Sequence, residues 1–488
     1  MKKKYIILSI ITLVLLITFV TSFNYFKTTN TYVENNSNNQ TKITKGISMN
    51  LEQTAGAGDY KQVTQSSWPT EGYKFNAELS KCENGGEISW DDTKKAVIVS
   101  GNLSDKCYVY FDIYQLTLAE YIKSQYTGTQ GDNALYYHNS TLTNGAGDNS
   151  YRYAGGDYVL TEAGKATGAT MMIGYNNSVT TALIDFYCNG TKQYVGYASS
   201  CSTSHYYLIK GDTTQYQTYN EALNASVEKG YLTKDNVKNF VCFGSDATTC
   251  PTENLYRIIG VFNNHVKLIK YDYAKSSLLG TDGDFSQEYT SNYFSGEQGE
   301  SPSSNSLYYW NNAGTNTWSA SKLNTVNLNT NFTTNIGTAW ANKIATTTWK
   351  VGGGTYANLR DAVPKTAYQY EVGSSASTTT YDAKIGLMYV SDYYYSASPS
   401  AWTLVGYNSD YTKSYASAKG ENWLYGGGWD WTISRSSGNS VYAFSVFDDG
   451  NVYYNVVSRT GVRPSFSLLS STTYVSGSGS MSDPVRIN

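Results

Sequence analysis

Six cysteines fall in three close pairs along this 488-residue chain: Cys82 with Cys107, Cys188 with Cys201, and Cys242 with Cys250. An even number of thiols grouped this way, with no CxxC spacing, reads as disulfides between sequence neighbours in an exported protein, although other connectivities remain formally open. The three histidines, His138, His205 and His265, are scattered, so no zinc site, other metal or cofactor is expected. Composition agrees with export. The net charge is -3 and only 15% of residues are charged, while Tyr reaches 47 and Gly 43, so the chain is polar through Ser, Thr, Asn and Tyr. Phosphate binding needs a concentrated basic face, so nucleic acid is excluded as a partner.

At the N-terminus Lys2, Lys3 and Lys4 precede an uncharged stretch over 5–26, which is long enough to cross a hydrocarbon core of roughly 30 Å. No small-x-small cleavage site follows it. Residues 1–27 are therefore expected to form a signal-anchor transmembrane helix, placing the protein at the cell membrane as a single-pass chain with its bulk outside. Secretion after cleavage is the alternative. Residues 28–67, with "ENNSNNQTK", read as a disordered polar stalk.

Residues 68–114 read as a small β module stapled by Cys82 and Cys107, with strand signals at "AVIV" and at 107–111. Residues 115–488 read as a head. "TLAE" supplies a capping box for a short helix. A block at about 158–236 looks inserted, with its own cysteine pair and a helix stopped by Gly230. "LYRIIGVFNNHVKLIKYD" reads as a hairpin around Asn263 and Asn264, apolar on both faces and so interior. Phe332, Ile336, Trp340 and Ile344 recur every four residues, predicting one amphipathic helix, and "AKIGLMYV" predicts a strand ending at Val390. Near the C-terminus a strand with Trp429 and Trp431 on one face leads to a primed-turn hairpin at Asp449-Gly450 and a closing strand, "GVRPSFSL".

The tail carries a resemblance. Its Trp-rich loop, "WTISR", "AFSVFDDGNVYY" and "GVRPSFSL" resemble the C-terminal signature of C-type-lectin-like domains of the formylglycine-generating-enzyme type, and the variable ends of retroelement-diversified surface proteins. "NFVCFGSDATTCPTENLYRIIGVFNNHVKLIKYDYA" and "YDAKIGLMYVSDY" resemble a family of uncharacterised cell-surface proteins of gut bacteria, in which the spacer module recurs. The expected fold class is α+β: a C-type-lectin-like head domain after a small all-β spacer module, with an N-terminal transmembrane helix.

The resemblance brings no catalysis. Formylglycine-generating chemistry requires a cysteine pair in the catalytic core, and no Cys follows Cys250. The Glu-Pro-Asn, Gln-Pro-Asp and Trp-Asn-Asp motifs of calcium-dependent lectins are missing too. Asp392, Glu421 and Asp430 are candidate acids, but no spacing selects a pair for hydrolysis.

Binding is the expected role. Eight of the ten Trp lie between 310 and 431; Trp340 and Trp349 are assigned to the core. Tyr393, Tyr394 and Tyr395 cannot all face inward along a strand or loop, and Gly426-Gly427-Gly428 implies an irregular loop near Trp429. Together with Trp423 and Tyr425 these aromatics are the expected ligand face. Arg463 is expected to be structural, its fork meeting backbone carbonyls and one carboxylate, and Arg435 similarly. The reading is a non-enzymatic, membrane-anchored adhesion protein for an extracellular glycan or protein ligand. The rivals are a structural surface or assembly component and a hydrolase whose site is not visible in sequence.

Overall fold

The computed structural model describes residues 46–64, 68–69, 72–101, 105–173, 180–193, 201, 204–234, 236–291, 303–457 and 459–488. The chain divides into two compact units, Met1–Gln115 and Leu116–Asn488.

In the first unit the strand Cys107–Ile113 alternates buried Cys107, Val109 and Phe111 with outward Tyr108 and Tyr110, the period-two pattern of a sheet covered on one face. It lies between Ile47–Glu52, which runs parallel to it, and the antiparallel Tyr73–Cys82. Tyr60–Val63 pairs outside Ile47–Glu52. A separate hairpin, Glu87–Asp91 with Ala96–Ser100, adds Val97 and Val99 to the core, and Trp90 meets the Phe111 ring edge-on at 5.6 Å. Cys82 and Cys107 stand directly opposite each other and are bonded. The expected stalk is corrected here. Residues 28–45 and 65–67 lie outside the described residues, but "ISMNLE" is a strand that buries Met49 and Leu51. Its alternating apolar residues are enough to seat it against Val109, despite the polar average of the surrounding stretch.

The second unit is built on the hairpin Leu255–Phe262 and His265–Lys270. Asn263 and Asn264 take φ of 47° and 65°, the left-handed pair that a two-residue primed turn needs. Both strands are almost wholly buried. Tyr151–Tyr153 and then Leu135–Tyr137 extend the sheet on one side; Ser465–Ser467 and then Ile385–Gly386 extend it on the other. At the bulge beside Gly260 a Cβ would lie 2.2 Å from the Tyr151 carbonyl oxygen, so only glycine permits this approach. Helix Leu118–Ser124, with the Thr117–Glu120 capping box formed, buries Leu118, Ala119 and Ile122 in the same core. The tail thus closes the fold from inside: Phe466 pairs with Leu268, and Pro464 sits just before its strand, where its missing N–H costs no ladder bond. A three-stranded sheet, Asp430–Arg435, Tyr442–Val446 and Val452–Val456, packs Trp431, Ile433, Phe444 and Val452 into the shared core.

The block within 158–236 has a core of its own. Ala182–Cys188 pairs with Met171–Ile173, Thr191–Gln193 and His205–Ile209, and helix Tyr219–Glu228 covers Leu183, Phe186 and Tyr207 with Ala222 and Leu223. Disulfides Cys188–Cys201 and Cys242–Cys250 are formed, as is Cys82–Cys107. Three disulfides are consistent with an extracellular protein.

Several expectations change. The α+β fold class gives way to short strands in several small sheets; with only 20% of the structure helical, strands carry the framework. Among the described residues no helix is long and apolar enough to cross a membrane, so the single-pass anchor is not supported; residues 1–27, on which it was placed, lie outside the described residues. The helix read through Phe332 to Ile344 is interrupted at Gly337, whose φ is 82°. "AKIGLMYV" is split: Ala383 ends the strand Thr380–Ala383, Ile385–Gly386 is a second short strand, and the chain then turns into helix Val390–Tyr395. Trp429 precedes its strand rather than sharing a face with Trp431. Residues 447–451, rather than a two-residue turn, connect Tyr442–Val446 to Val452–Val456.

Glu371, fully buried, accepts from the Val390 and Ser391 N–H groups at 2.9 and 2.8 Å and from the Ser434 hydroxyl. Burial nevertheless pushes its pKa up to about 7. Between its ordinary value and 7 the folded chain holds a proton that the unfolded chain releases. This stabilisation is complete at the acid end and is lost as pH rises towards neutrality, by about 3 kcal/mol. Urea midpoints between pH 4.5 and 7.5 should fall accordingly, and Glu371→Gln should flatten that slope; an equally steep slope in the variant contradicts the assignment.

Candidate functional site

A cleft of about 650 Å³ opens in the second unit. The inserted block supplies Tyr158, Met172, Ile173, Tyr219 and Leu223; the central sheet and its margins supply Phe240, Tyr271, Asp272 and Tyr273; the C-terminal part supplies Lys419, Asn422, Trp423, Tyr425 and Arg463.

One wall is assembled around Arg257, which sits buried in an otherwise apolar strand. Its guanidinium lies 4.1 Å from the Phe240 ring centroid and 4.8 Å from that of Trp423. It donates to both Asp157 oxygens at 2.7 Å and to Asn239 Oδ1 at 2.6 Å. Asp157 opens the inserted block, so a forked ion pair ties that block to the central sheet. The Trp423 indole donates to the Tyr153 carbonyl at 2.9 Å, which fixes the plane of the ring. The wall is preorganised.

The far wall rests on Arg463. It is 4% exposed and donates from Nε to Asp430 Oδ2 at 2.5 Å and from Nη2 to the Leu424 carbonyl at 2.6 Å, with its guanidinium 5.6 Å from the Tyr273 ring. One planar fork thus meets a carboxylate oxygen and a carbonyl. Tyr425 is half-buried; its hydroxyl donates to the Asp448 carbonyl, and Lys419 Nζ lies 5.7 Å from its ring centroid. Burial pulls Lys419 down to about 8, against the opposing pull of Asp449 and Asp448, and pushes the Asp272 carboxyl up. The cleft therefore offers ring faces, and acid and base groups of both signs.

The expected ligand face does not exist as one surface. Trp423 and Tyr425 line the cleft. Trp429, 39% exposed, lies outside that lining and packs on Phe447 at 4.6 Å between ring centroids. Tyr393, Tyr394 and Tyr395 are all buried. They occupy a helix enclosed on every side, and their hydroxyls donate to the carbonyls of Gly450, Leu359 and Asn144. A helix buried all round puts three successive residues into packing, as does the strand Leu255–Phe262, which is buried on both faces. Arg435 stands away from the cleft and bonds the Val351 carbonyl and Asn316 Oδ1.

Asp392 meets Lys267, Asp430 meets Arg463, and His265 bonds the Leu468 carbonyl. Among the described residues no group of three His, Cys, Asp or Glu is placed to hold a metal ion. Residues Phe240, Arg257, Asp157, Tyr271 and Tyr158 escape sequence reasoning; a cation inside "LYRIIGVF" is the one local signal for this wall. No family model, curated protein or solved structure matches this chain, so the resemblance drawn from its tail rests on the quoted residues alone.

Proposed function

We propose that the protein is a non-catalytic recognition protein that holds an extracellular oligosaccharide in this cleft. The observation that carries the reading is the convergence of Tyr158, Tyr271, Trp423 and Tyr425 with Asp272, Lys419 and Asn422 on one concavity. Aromatic faces stack on the apolar faces of sugar rings, while polar groups at their edges take the hydroxyls. Three disulfides and a weakly charged, Tyr-rich composition support a role outside the cell. Asp157 in the lining is already engaged by Arg257, so it serves the wall rather than a substrate.

The full chain should select glycans from an array. Tyr271→Ala and Tyr425→Ala should each weaken the strongest hit by about tenfold, an effect of about 1.4 kcal/mol, with melting temperature little changed. A hit whose affinity ignores both substitutions places the ligand elsewhere.

A further inference from the structure

Lys267 and Asp392 form a buried pair that the cleft does not use. Lys267 lies in the central strand His265–Lys270, held between Leu255–Phe262 and Ser465–Ser467, and Asp392 lies in helix Val390–Tyr395. Their side chains are 9% and 4% exposed, and Nζ stands 2.6 Å from Oδ2. The same oxygen accepts from the Tyr389 N–H at 2.8 Å, which fixes the carboxyl. Two rings wall the pair: Nζ lies 4.6 Å from the Tyr389 centroid and 5.3 Å from that of Trp349. Both rings are pinned, Tyr389 by the Lys350 N–H and Trp349 by the Ala383 carbonyl. Glu371 holds the neighbouring N–H groups of Val390 and Ser391, so the turn carrying Asp392 has no slack.

Two full charges in such surroundings forfeit hydration that their attraction only partly restores. An amide between them carries no charge. The amine is already hydrogen-bonded to an oxygen of the carboxyl it would attack, the arrangement that turns a bimolecular reaction into an intramolecular one. We propose that Lys267 and Asp392 are a modification site, at which the chain closes an internal amide cross-link between Lys267 Nζ and Asp392 Cγ. Proton transfer within the pair leaves a neutral amine and a carboxylic acid. Nζ then bonds to Cγ, the Cγ–OH bond breaks, and the hydroxyl leaves as water with one proton from Nζ. No oxidant, reductant or co-reactant enters. The link would staple the central strand to the helix of Tyr393, Tyr394 and Tyr395 across 125 positions of chain, within the exported context that the disulfides suggest but independently of any ligand.

The full chain, reduced, alkylated, denatured and digested, is analysed by tandem mass spectrometry. A branched peptide is expected that joins the Lys267 and Asp392 segments and is lighter than their sum by one water. It should vanish in both Lys267→Arg and Asp392→Ala. Because the wild-type digest decides by itself, poor folding of either variant does not blunt the test. Recovery of the two segments as separate peptides with an acetylatable Lys267 overturns the proposal. So does a water loss confined to the Asp392 segment, or a branch that persists in Lys267→Arg.

Discussion

Arg463→Met is expected to destabilise the second unit by about 3–5 kcal/mol, the range for removing one partner of a buried ion pair. The substitution keeps much of the side-chain volume, so the effect isolates the charge and its hydrogen bonds. Asp430, itself 1% exposed, loses its donor at 2.5 Å, and its other oxygen has no hydrogen-bond partner among the described residues. The Leu424 carbonyl loses its donor as well, at the point where the chain enters the Trp423–Tyr425 wall. Guanidinium denaturation followed by tryptophan fluorescence reads this directly. Asp430→Leu added to Arg463→Met should recover part of the loss, because a buried pair removed together leaves no orphaned charge. A stable Arg463→Met protein that merely fails to bind would reassign Arg463 from the fold to the ligand.

Replacing Cys82 and Cys107 together by Ser is expected to cost the first unit about 3 kcal/mol and to unfold much of it at physiological temperature. The bridge closes 25 positions of chain, and loop closure of that length removes roughly 3–4 kcal/mol of unfolded-state entropy in the chain model. The core that must otherwise hold the unit is small: Met49, Leu51, Val97, Val99, Val109 and Phe111 with their partly buried neighbours. Cys242 and Cys250, only 8 apart, should matter less, at about 2.5 kcal/mol. Amide exchange on the Cys82 and Cys107 double variant reads the first effect, and the same measurement on its Cys242 and Cys250 counterpart reads the second. Protection lost across Cys107–Ile113 and retained across Leu255–Phe262 is the pattern expected of the former; unchanged protection in the first unit contradicts it.

What the sequence made legible was local and periodic. "LYRIIGVF" and "HVKLIK" show their hairpin because apolar residues fill both faces and two asparagines tolerate positive φ between them. Thr117 announces a helix start because it finds its Glu three residues on. Arg463 is legible as buried because the apolar residues on either side of it carry it into the core. The misreadings have physical reasons too. Composition over 28–67 averages away the alternation in "ISMNLE". Three consecutive tyrosines cannot all point inward from an element covered on one face only, but a helix buried all round takes all three. The four-residue period through Trp340 runs across Gly337, where the backbone turns left-handed. The cleft wall is hidden for a different reason: Arg257 and Asp157 are 100 positions apart, and no local pattern encodes that meeting. Only the arginine's presence in a buried strand hints that a distant acid must exist.

If the cleft holds the glycan, the inserted block and the C-terminal wall must close on it together. Ile173 lines the cleft's space of about 650 Å³ from the block, as Trp423 and Tyr425 do from the C-terminal part. Filling that space with a larger ring separates this arrangement from any other. Calorimetric titration of the best glycan from the array into the wild-type chain should show measurable binding. The same titration into Ile173→Trp should show at least about a tenfold loss, with the melting temperatures of the two proteins alike. Equal affinity for both proteins would mean that the cleft is not where the ligand sits.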